Sequence, residues 1–169
     1  MKGNGKTRTL TLSALLAALT LVSHFAATVW PSGDLSIAAF SAIFTAAAVI
    51  ESGIGAGFYV FACSSLLSLL VMPSKSVSFL YLMFFGYYPI AKNFIERVRS
   101  MPAQWALKIA LFNVALLLMY LLIKELVFDF GSYSPGYLII AAAGTAIFAL
   151  YDYGFSKVIS LYMTRVHKK

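Results

Sequence analysis

Cysteine, histidine and acidic residues are scarce in this 169-residue chain, and each shortage removes a class of function. The single cysteine, Cys63, has no second cysteine in the chain, which excludes an internal disulfide and a cysteine-based metal site. The two histidines, His24 and His167, lie far apart in the sequence, and the motifs HExxH, GxSxG and CxxC do not occur. We therefore predict a protein that is not an enzyme, holds no metal and uses no cofactor.

Charged residues are also few, and this composition indicates a membrane protein. They make up 11% of the chain against 61% hydrophobic residues, and the mean hydropathy is +0.86, which is far from ordinary soluble composition. The net charge of +7 comes from basic residues at the ends of apolar runs, not from a continuous basic stripe. These residues are typical of membrane anchors that face anionic lipid, so we expect membrane lipid and not nucleic acid as a partner.

The apolar runs predict an all-α, polytopic protein that forms one integral membrane domain over residues 1–169. A helix needs about 20 apolar residues to cross about 30 Å of hydrocarbon. The expected transmembrane helices are about 9–30, 35–50, 54–72, 77–91, 105–124 and 137–162. The second and fourth are short for a full span, and Pro89 is expected to break the fourth near its inner end. The polar segment 92–104 has apolar residues at helical spacing and is predicted to lie as an amphipathic piece on the cytoplasmic surface.

The basic residues also predict the orientation of these six helices. If both termini are cytoplasmic, only Lys75 and Lys124 of the thirteen Lys and Arg residues lie outside. This distribution agrees with the positive-inside rule. Five or seven crossings would place the basic N- and C-terminal clusters on opposite sides of the bilayer.

One acidic residue falls within a predicted span. An aspartate in the centre of a membrane helix costs about 2.5–3.5 kcal/mol on insertion scales, and it generally needs a partner. Asp152 either belongs to a polar site or pairs with a basic residue at the inner interface, such as Lys92 or Lys157. The pairing is favoured, because such partners are available in the inner half of the last helix.

Aromatic and polar residues near the outer ends of the helices suggest a small-molecule pocket. Flat apolar walls with a few hydrogen-bonding groups are typical of such pockets. His24 either faces a ligand or bonds a neighbouring helix, and both readings stay open. The candidate substrate-binding residues are His24, Trp30, Tyr81, Asn113, Tyr120, Lys124, Glu125 and Tyr133.

The first helix carries a pair of small residues, Ala14 and Ala18. Because they are four residues apart, they share one face of the helix and allow another helix to approach closely. The opening sequence TRTLTLSALLAA, residues 7–18, together with six predicted helices and two cytoplasmic ends, resembles the substrate-binding S component of energy-coupling-factor (ECF) transporters.

The resemblance implies a function and a set of partners. Ala14 and Ala18 would dock on a transmembrane coupling subunit that works with two cytoplasmic ATPases. A vitamin or micronutrient would bind near the outer face, and the first outer turn, residues 31–34, would act as a lid. The expected location is a bacterial inner membrane. The chain has no phosphate-binding loop, so the energy for uptake must come from the partners.

Two other functions remain at this point. One is a non-transporting cell-envelope scaffold that resembles the small membrane proteins of the rod-shape machinery, with the basic segment 92–108 as its docking surface. The other is a membrane enzyme acting on lipid, which needs a cluster of acidic or histidine residues at one interface. The six acidic residues are scattered through the predicted topology, so the enzyme is the weakest of the three readings.

Overall fold

The computed structural model describes residues 4–30, 33–73, 75–126 and 137–166. Within these ranges the regular structure is helical, as predicted for an all-α protein. Its elements are α1 (Asn4–Val29), α2 (Asp34–Ser52), α3 (Ile54–Val71), α4 (Lys75–Leu80), a π-helical turn (Tyr81–Phe85), α5 (Tyr88–Ile95), α6 (Met101–Leu126) and α7 (Tyr137–Val166).

Five helices in the described ranges, α1, α2, α3, α6 and α7, are long and apolar enough to cross a membrane. Many large apolar side chains point away from the protein interior, including Val22 at 66% exposure, Leu70 at 78% and Leu150 at 75%. Exposed apolar side chains at this density suit a lipid solvent. The chain is therefore built as a multi-pass membrane protein.

The second helix is longer than predicted. It runs over Asp34–Ser52, 19 residues, because Glu51 and Ser52 continue the helix instead of ending it. Gly53 ends it with φ 87° and ψ 177°, a conformation that glycine adopts without the clash of a side chain. The prediction of a short second helix was wrong.

The fourth predicted helix is interrupted near its inner end, as expected, and the interruption takes in a π turn that the sequence did not predict. α4 gives way to the π turn, in which the Gly86 N–H donates to the Tyr81 carbonyl at 2.7 Å, and α5 begins two residues after Gly86. A Cβ at Gly86 would lie 2.6 Å from Phe61 Cδ2 and 2.7 Å from Tyr81 Cε1, so glycine lets these two rings close over the turn. Pro89 follows this interruption directly. It stands in the first turn of α5, where its missing N–H has no intrahelical acceptor to lose.

The predicted amphipathic surface segment 92–104 is not a separate element. Its first residues end α5 and its last residues begin α6 at Met101. Lys92 is buried, and its Nζ lies 2.6 Å from a Glu96 carboxylate oxygen one turn later. Of the apolar residues that indicated an amphipathic helix, Phe94 and Ile95 belong to α5, and Val98 lies in the bend between α5 and α6.

The chain forms two compact units, Met1–Arg97 and Val98–Lys169. In the N-terminal unit α1, α2 and α3 contact one another, and α2 also contacts α4, the π turn and α5. Small residues of α2 fill this interior, with Ala38, Ala42 and Ala48 fully buried. Small side chains allow helix backbones to approach closely, which is how helices associate in lipid.

The C-terminal unit is an antiparallel pair of helices. Lys108 contacts Asp152, the ring of Phe112 stacks on Phe148 at 4.7 Å, and Asn113 contacts Thr145. Because low residue numbers of α6 meet high residue numbers of α7, the two helices run in opposite directions.

Candidate functional site

The N-terminal unit contains a buried hydroxyl cluster, which we define as Thr20 of α1, Thr45 of α2, Ser64 of α3 and Tyr81 of the π turn. The Tyr81 hydroxyl lies 2.7 Å from Thr45 Oγ1 and 3.2 Å from Ser64 Oγ, and the Thr20 side chain lies beside it. All four side chains are fully buried. One phenol therefore links four elements of the unit.

The hydroxyl cluster lies deep in the membrane. Thr45 and Ser64 are near the middle of α2 and α3, so they reach the centre of the hydrocarbon when these helices cross it. Thr20 Oγ1 donates to the Leu16 carbonyl at 3.0 Å, and the Ser64 hydroxyl donates to the Val60 carbonyl. These two hydroxyls thus have a backbone partner one turn earlier in addition to their contact with Tyr81.

His24 extends the hydroxyl cluster towards α2. Its Nε2 lies 3.2 Å from Ser41 Oγ, and its ring meets the Tyr81 ring edge to face with centroids 4.8 Å apart. Ser41 donates its one proton to the Ala38 carbonyl at 2.8 Å, so Ser41 Oγ accepts from His24 Nε2–H. This network assigns the proton of the neutral ring to Nε2 and leaves Nδ1 as a bare acceptor. Nδ1 is buried and has no hydrogen-bond partner among the described residues.

The predicted substrate-binding residues are only partly brought together. His24 and Tyr81 are in contact, while Trp30, at the end of α1, is 70% exposed. Asn113 and Tyr120 belong to the C-terminal unit, where Asn113 Nδ2 donates to the Ile109 carbonyl and to Thr145 Oγ1. The side chains of Lys124 and Glu125, together with Tyr133 and the Pro31 and Ser32 part of the predicted lid, lie outside the described residues. A single outer pocket formed by the whole set stays a prediction.

Sequence reasoning missed the serine and threonine residues of this site, although a signal for them exists. Thr20 and His24 are four residues apart in otherwise apolar helix sequence, and Ser41 and Thr45 have the same spacing. Residues at this spacing share one helix face. Polar side chains confined to one face of a membrane helix indicate the face that packs against protein.

We expect Tyr81→Phe to weaken the N-terminal unit by about 1–2 kcal/mol, because it removes the shared hydroxyl and leaves Thr45 with one fewer partner in an apolar interior. Thr20 and Ser64 keep their carbonyl partners, which limits the loss. Thermal unfolding in detergent micelles measures the effect. The matched control is Tyr59→Phe in α3, whose side chain is exposed, and an equal change in both variants contradicts the role of the hydroxyl cluster.

The C-terminal unit holds a buried ion pair. Lys108 Nζ lies 2.8 Å from Asp152 Oδ2, and both side chains are nearly inaccessible, at 6% and 3% exposure. The ammonium also stands over the Trp105 ring, 5.7 Å from its centroid. Both residues fall within helices that are long and apolar enough to span a membrane.

The structure shows a partner of Asp152, Lys108, that the sequence did not suggest. Lys92 is paired with Glu96, and Lys157 stands over the Tyr153 ring at 5.6 Å. Lys157 is exposed because it lies five residues after Asp152, on a different face of α7. Asp152 faces α6, and Lys108 is the cation that the antiparallel arrangement brings opposite it.

The predicted docking pair lies on the outer face of α1. Ala14 and Ala18 are exposed, and Leu10, Leu15 and Val22 on the same side are exposed as well. The opposite face of the helix is buried and consists of Ser13, Leu16, Ala17, Thr20, His24 and Ala27.

The fold and these sites define an all-α, multi-pass membrane protein with polar side chains enclosed between its helices. Comparison of the chain with protein-family models, with curated proteins and with solved structures finds no match. Among the described residues, no group of three or more His, Cys, Asp and Glu side chains could hold a metal ion.

Proposed function

We propose that this protein is a membrane-embedded substrate-binding subunit of the ECF S-component type. It captures a small vitamin or micronutrient from outside the cell, and a transmembrane coupling subunit with two cytoplasmic ATPases drives the uptake. The resemblance of residues 7–18 to the opening helix of that family suggests this function. The two faces of α1 are the structural observation that carries it.

α1 places a free surface and a buried polar site on opposite sides of one rigid element. Ala14 and Ala18 leave a shallow, exposed surface on which a partner helix can approach closely. Thr20 and His24, on the opposite face, reach the hydroxyl cluster and Ser41. A partner that binds the outer face of α1 therefore binds the same helix that carries His24. Docking is linked in this way to the buried polar site around His24.

The proposed topology has six crossings with both ends in the cytoplasm of a bacterial cell. The five long helices supply five crossings, and residues 75–95, from α4 to α5, supply the sixth. An interrupted helix is tolerated at membrane depth when protein covers it, and this segment packs against α2 and α3. Lys75, on the outer side in this topology, donates to the Leu69 and Met72 carbonyls at 2.7 and 2.6 Å and so caps the end of α3.

Docking is tested with Ala14→Trp and Ala18→Trp in the full chain, tagged and purified from membranes of its own host. A bulky ring on this face keeps the partner helix away, so we expect recovery of the coupling subunit and the ATPases to fall by about tenfold or more. Quantitative mass spectrometry of the purified complex measures the recovery.

Leu19→Trp is the matched control for this experiment. Leu19 is exposed on α1 at 40%, but the 100° advance per residue places it about 120° around the helix from the alanine pair. It should leave association unchanged. If the alanine variants retain as much partner as Leu19→Trp does, the alanine face is not the docking surface.

The scaffold alternative loses support from the placement of its basic residues. Lys92 and Lys108, at the two ends of the segment 92–108, are buried and paired with Glu96 and Asp152. Two of the cations needed for a cytoplasmic docking surface are thus held inside the two units.

A further inference from the structure

The bare Nδ1 of His24 is, with Asp34 Oδ1, a buried acceptor of the N-terminal unit that has no hydrogen-bond partner among the described residues. His24 is fully buried, its Nε2–H is used by Ser41, and Nδ1 has no donor among the described residues. Proteins rarely leave a buried acceptor of this strength unbonded, because the loss of hydration is not recovered. A donor from another molecule would restore the missing bond.

Two further side chains of α3 and α4 have unused hydrogen-bonding capacity. Ser65 Oγ and Ser78 Oγ are buried and have no partner among the described residues. Ser65 follows Ser64 in α3, and Ser78 lies one turn before Tyr81 in α4. The helices that carry these groups and His24, namely α1, α3 and α4, are in mutual contact.

The helix interruption falls at the same place. The π turn begins at Tyr81, whose ring touches His24 and whose hydroxyl joins the cluster. π-helical turns are frequent at functional sites, and interrupted membrane helices often form substrate sites near the bilayer centre. The open acceptor and the interrupted helix thus meet at the ring of Tyr81, and the unused hydroxyls lie on two of the helices that pack around it.

We propose that His24 Nδ1 accepts a hydrogen bond from the transported molecule, and that this molecule is small, neutral and carries an N–H or O–H donor. The inference rests on the proposed function. The side chains described in contact with His24 and Tyr81 are hydroxyls and aromatic rings. An ionised ligand here would lack a counter-charge, which is costly in a low-dielectric interior.

Two substitutions separate the roles of the two ring nitrogens. In His24→Gln the side-chain amide reaches the position of Nε2, so it keeps a donor for Ser41 but removes the acceptor at Nδ1. In His24→Asn the amide reaches the position of Nδ1, so it keeps an acceptor there and gives up the bond to Ser41. We therefore expect His24→Gln to weaken ligand binding and His24→Asn to weaken helix packing.

Native mass spectrometry of the full chain, purified in mild detergent from its host membranes, provides the readout. We expect the wild-type protein to carry one noncovalent small molecule. In His24→Gln its occupancy should fall about tenfold at an unfolding temperature close to wild type, as expected for one lost hydrogen bond in a buried site. His24→Asn should retain more of the molecule while unfolding at a lower temperature.

The outcomes separate this inference from the proposed function. Equal occupancy in wild type and His24→Gln, or a bound molecule that is charged or has no N–H or O–H group, overturns the inference and leaves a substrate-binding subunit in place. A wild-type protein without any bound molecule overturns the proposed function, and the inference falls with it.

If His24→Gln does not fold, nitrogen NMR of the wild-type protein tests in its place whether His24 Nδ1 contacts the bound molecule. Labelling with ¹⁵N-histidine marks only two side chains, His24 and His167, and His167→Gln assigns the signals. The His24 Nδ1 signal should move when the co-purified molecule is removed by exhaustive detergent exchange. An unchanged signal overturns the inference.

Discussion

Lys108→Met should destabilise the C-terminal unit by about 3–5 kcal/mol, the largest effect expected of any single substitution considered for this chain. The change removes the ammonium that lies 2.8 Å from Asp152 and leaves a carboxylate buried at 3% exposure between α6 and α7. Methionine has nearly the volume of the lysine stem, so packing is kept and the lost charge dominates. Equilibrium unfolding in mixed micelles, followed by Trp105 fluorescence, measures the free energy of unfolding.

Two controls isolate the ion pair. Lys157→Met removes an exposed cation from α7 and should change the free energy of unfolding by less than about 0.5 kcal/mol. The double variant Lys108→Met/Asp152→Leu replaces both charges with apolar groups and should recover most of the stability, since a buried pair contributes little net stability once both partners are gone. A double variant as unstable as Lys108→Met contradicts the assignment of the loss to the broken ion pair.

Gly57→Leu should destabilise the N-terminal unit by about 3 kcal/mol through overpacking. A Cβ at Gly57 would overlap Val49 Cγ2 of α2 and would lie 3.6 Å from the Thr45 carbonyl oxygen, so even alanine forces α2 and α3 apart. Leucine adds three carbon atoms beyond the Cβ, and the contact between α2 and α3 does not accommodate even the Cβ. Thermal unfolding of the full chain in micelles gives the size of the effect.

Gly55→Leu is the matched control, two residues earlier in α3. Gly55 is exposed, and a Cβ there would meet nothing within 4 Å. Because leucine favours helix over glycine by up to about 1 kcal/mol, this variant should be neutral or slightly more stable. A similar loss of stability in both variants places the effect in α3 itself and not in its contact with α2.

The fold class could be predicted because hydropathy and helix length are local properties of the sequence. Long apolar runs bounded by glycine, proline and charge located α1, α3, α6 and α7 well. An interruption of the fourth helix near Pro89 was predictable, but the π turn that precedes it was not. The π turn depends on the closure of Phe61 and Tyr81 around Gly86, and these residues come from different parts of the chain.

The candidate site was predictable only where a residue type is unusual in lipid. His24 and Tyr81 were both predicted to lie near the outer ends of the helices in one pocket, and the structure brings these two into contact. Their serine and threonine partners were missed, since such residues are common in membrane helices and their importance depends on the neighbouring helix. Asp152 was recognised, but Lys108 was not, because the pairing depends on the register between α6 and α7.

The ion pair between α6 and α7 also bears on how the chain enters the bilayer during its synthesis. Taken alone, each of these helices would carry an unmatched charge into the hydrocarbon at a cost of about 2.5–3.5 kcal/mol on insertion scales. Taken as a hairpin, the two neutralise each other at 2.8 Å before either is surrounded by lipid. We therefore expect α6 and α7 to leave the translocon together as a hairpin, with α6 entering the lipid only after α7 has been synthesised.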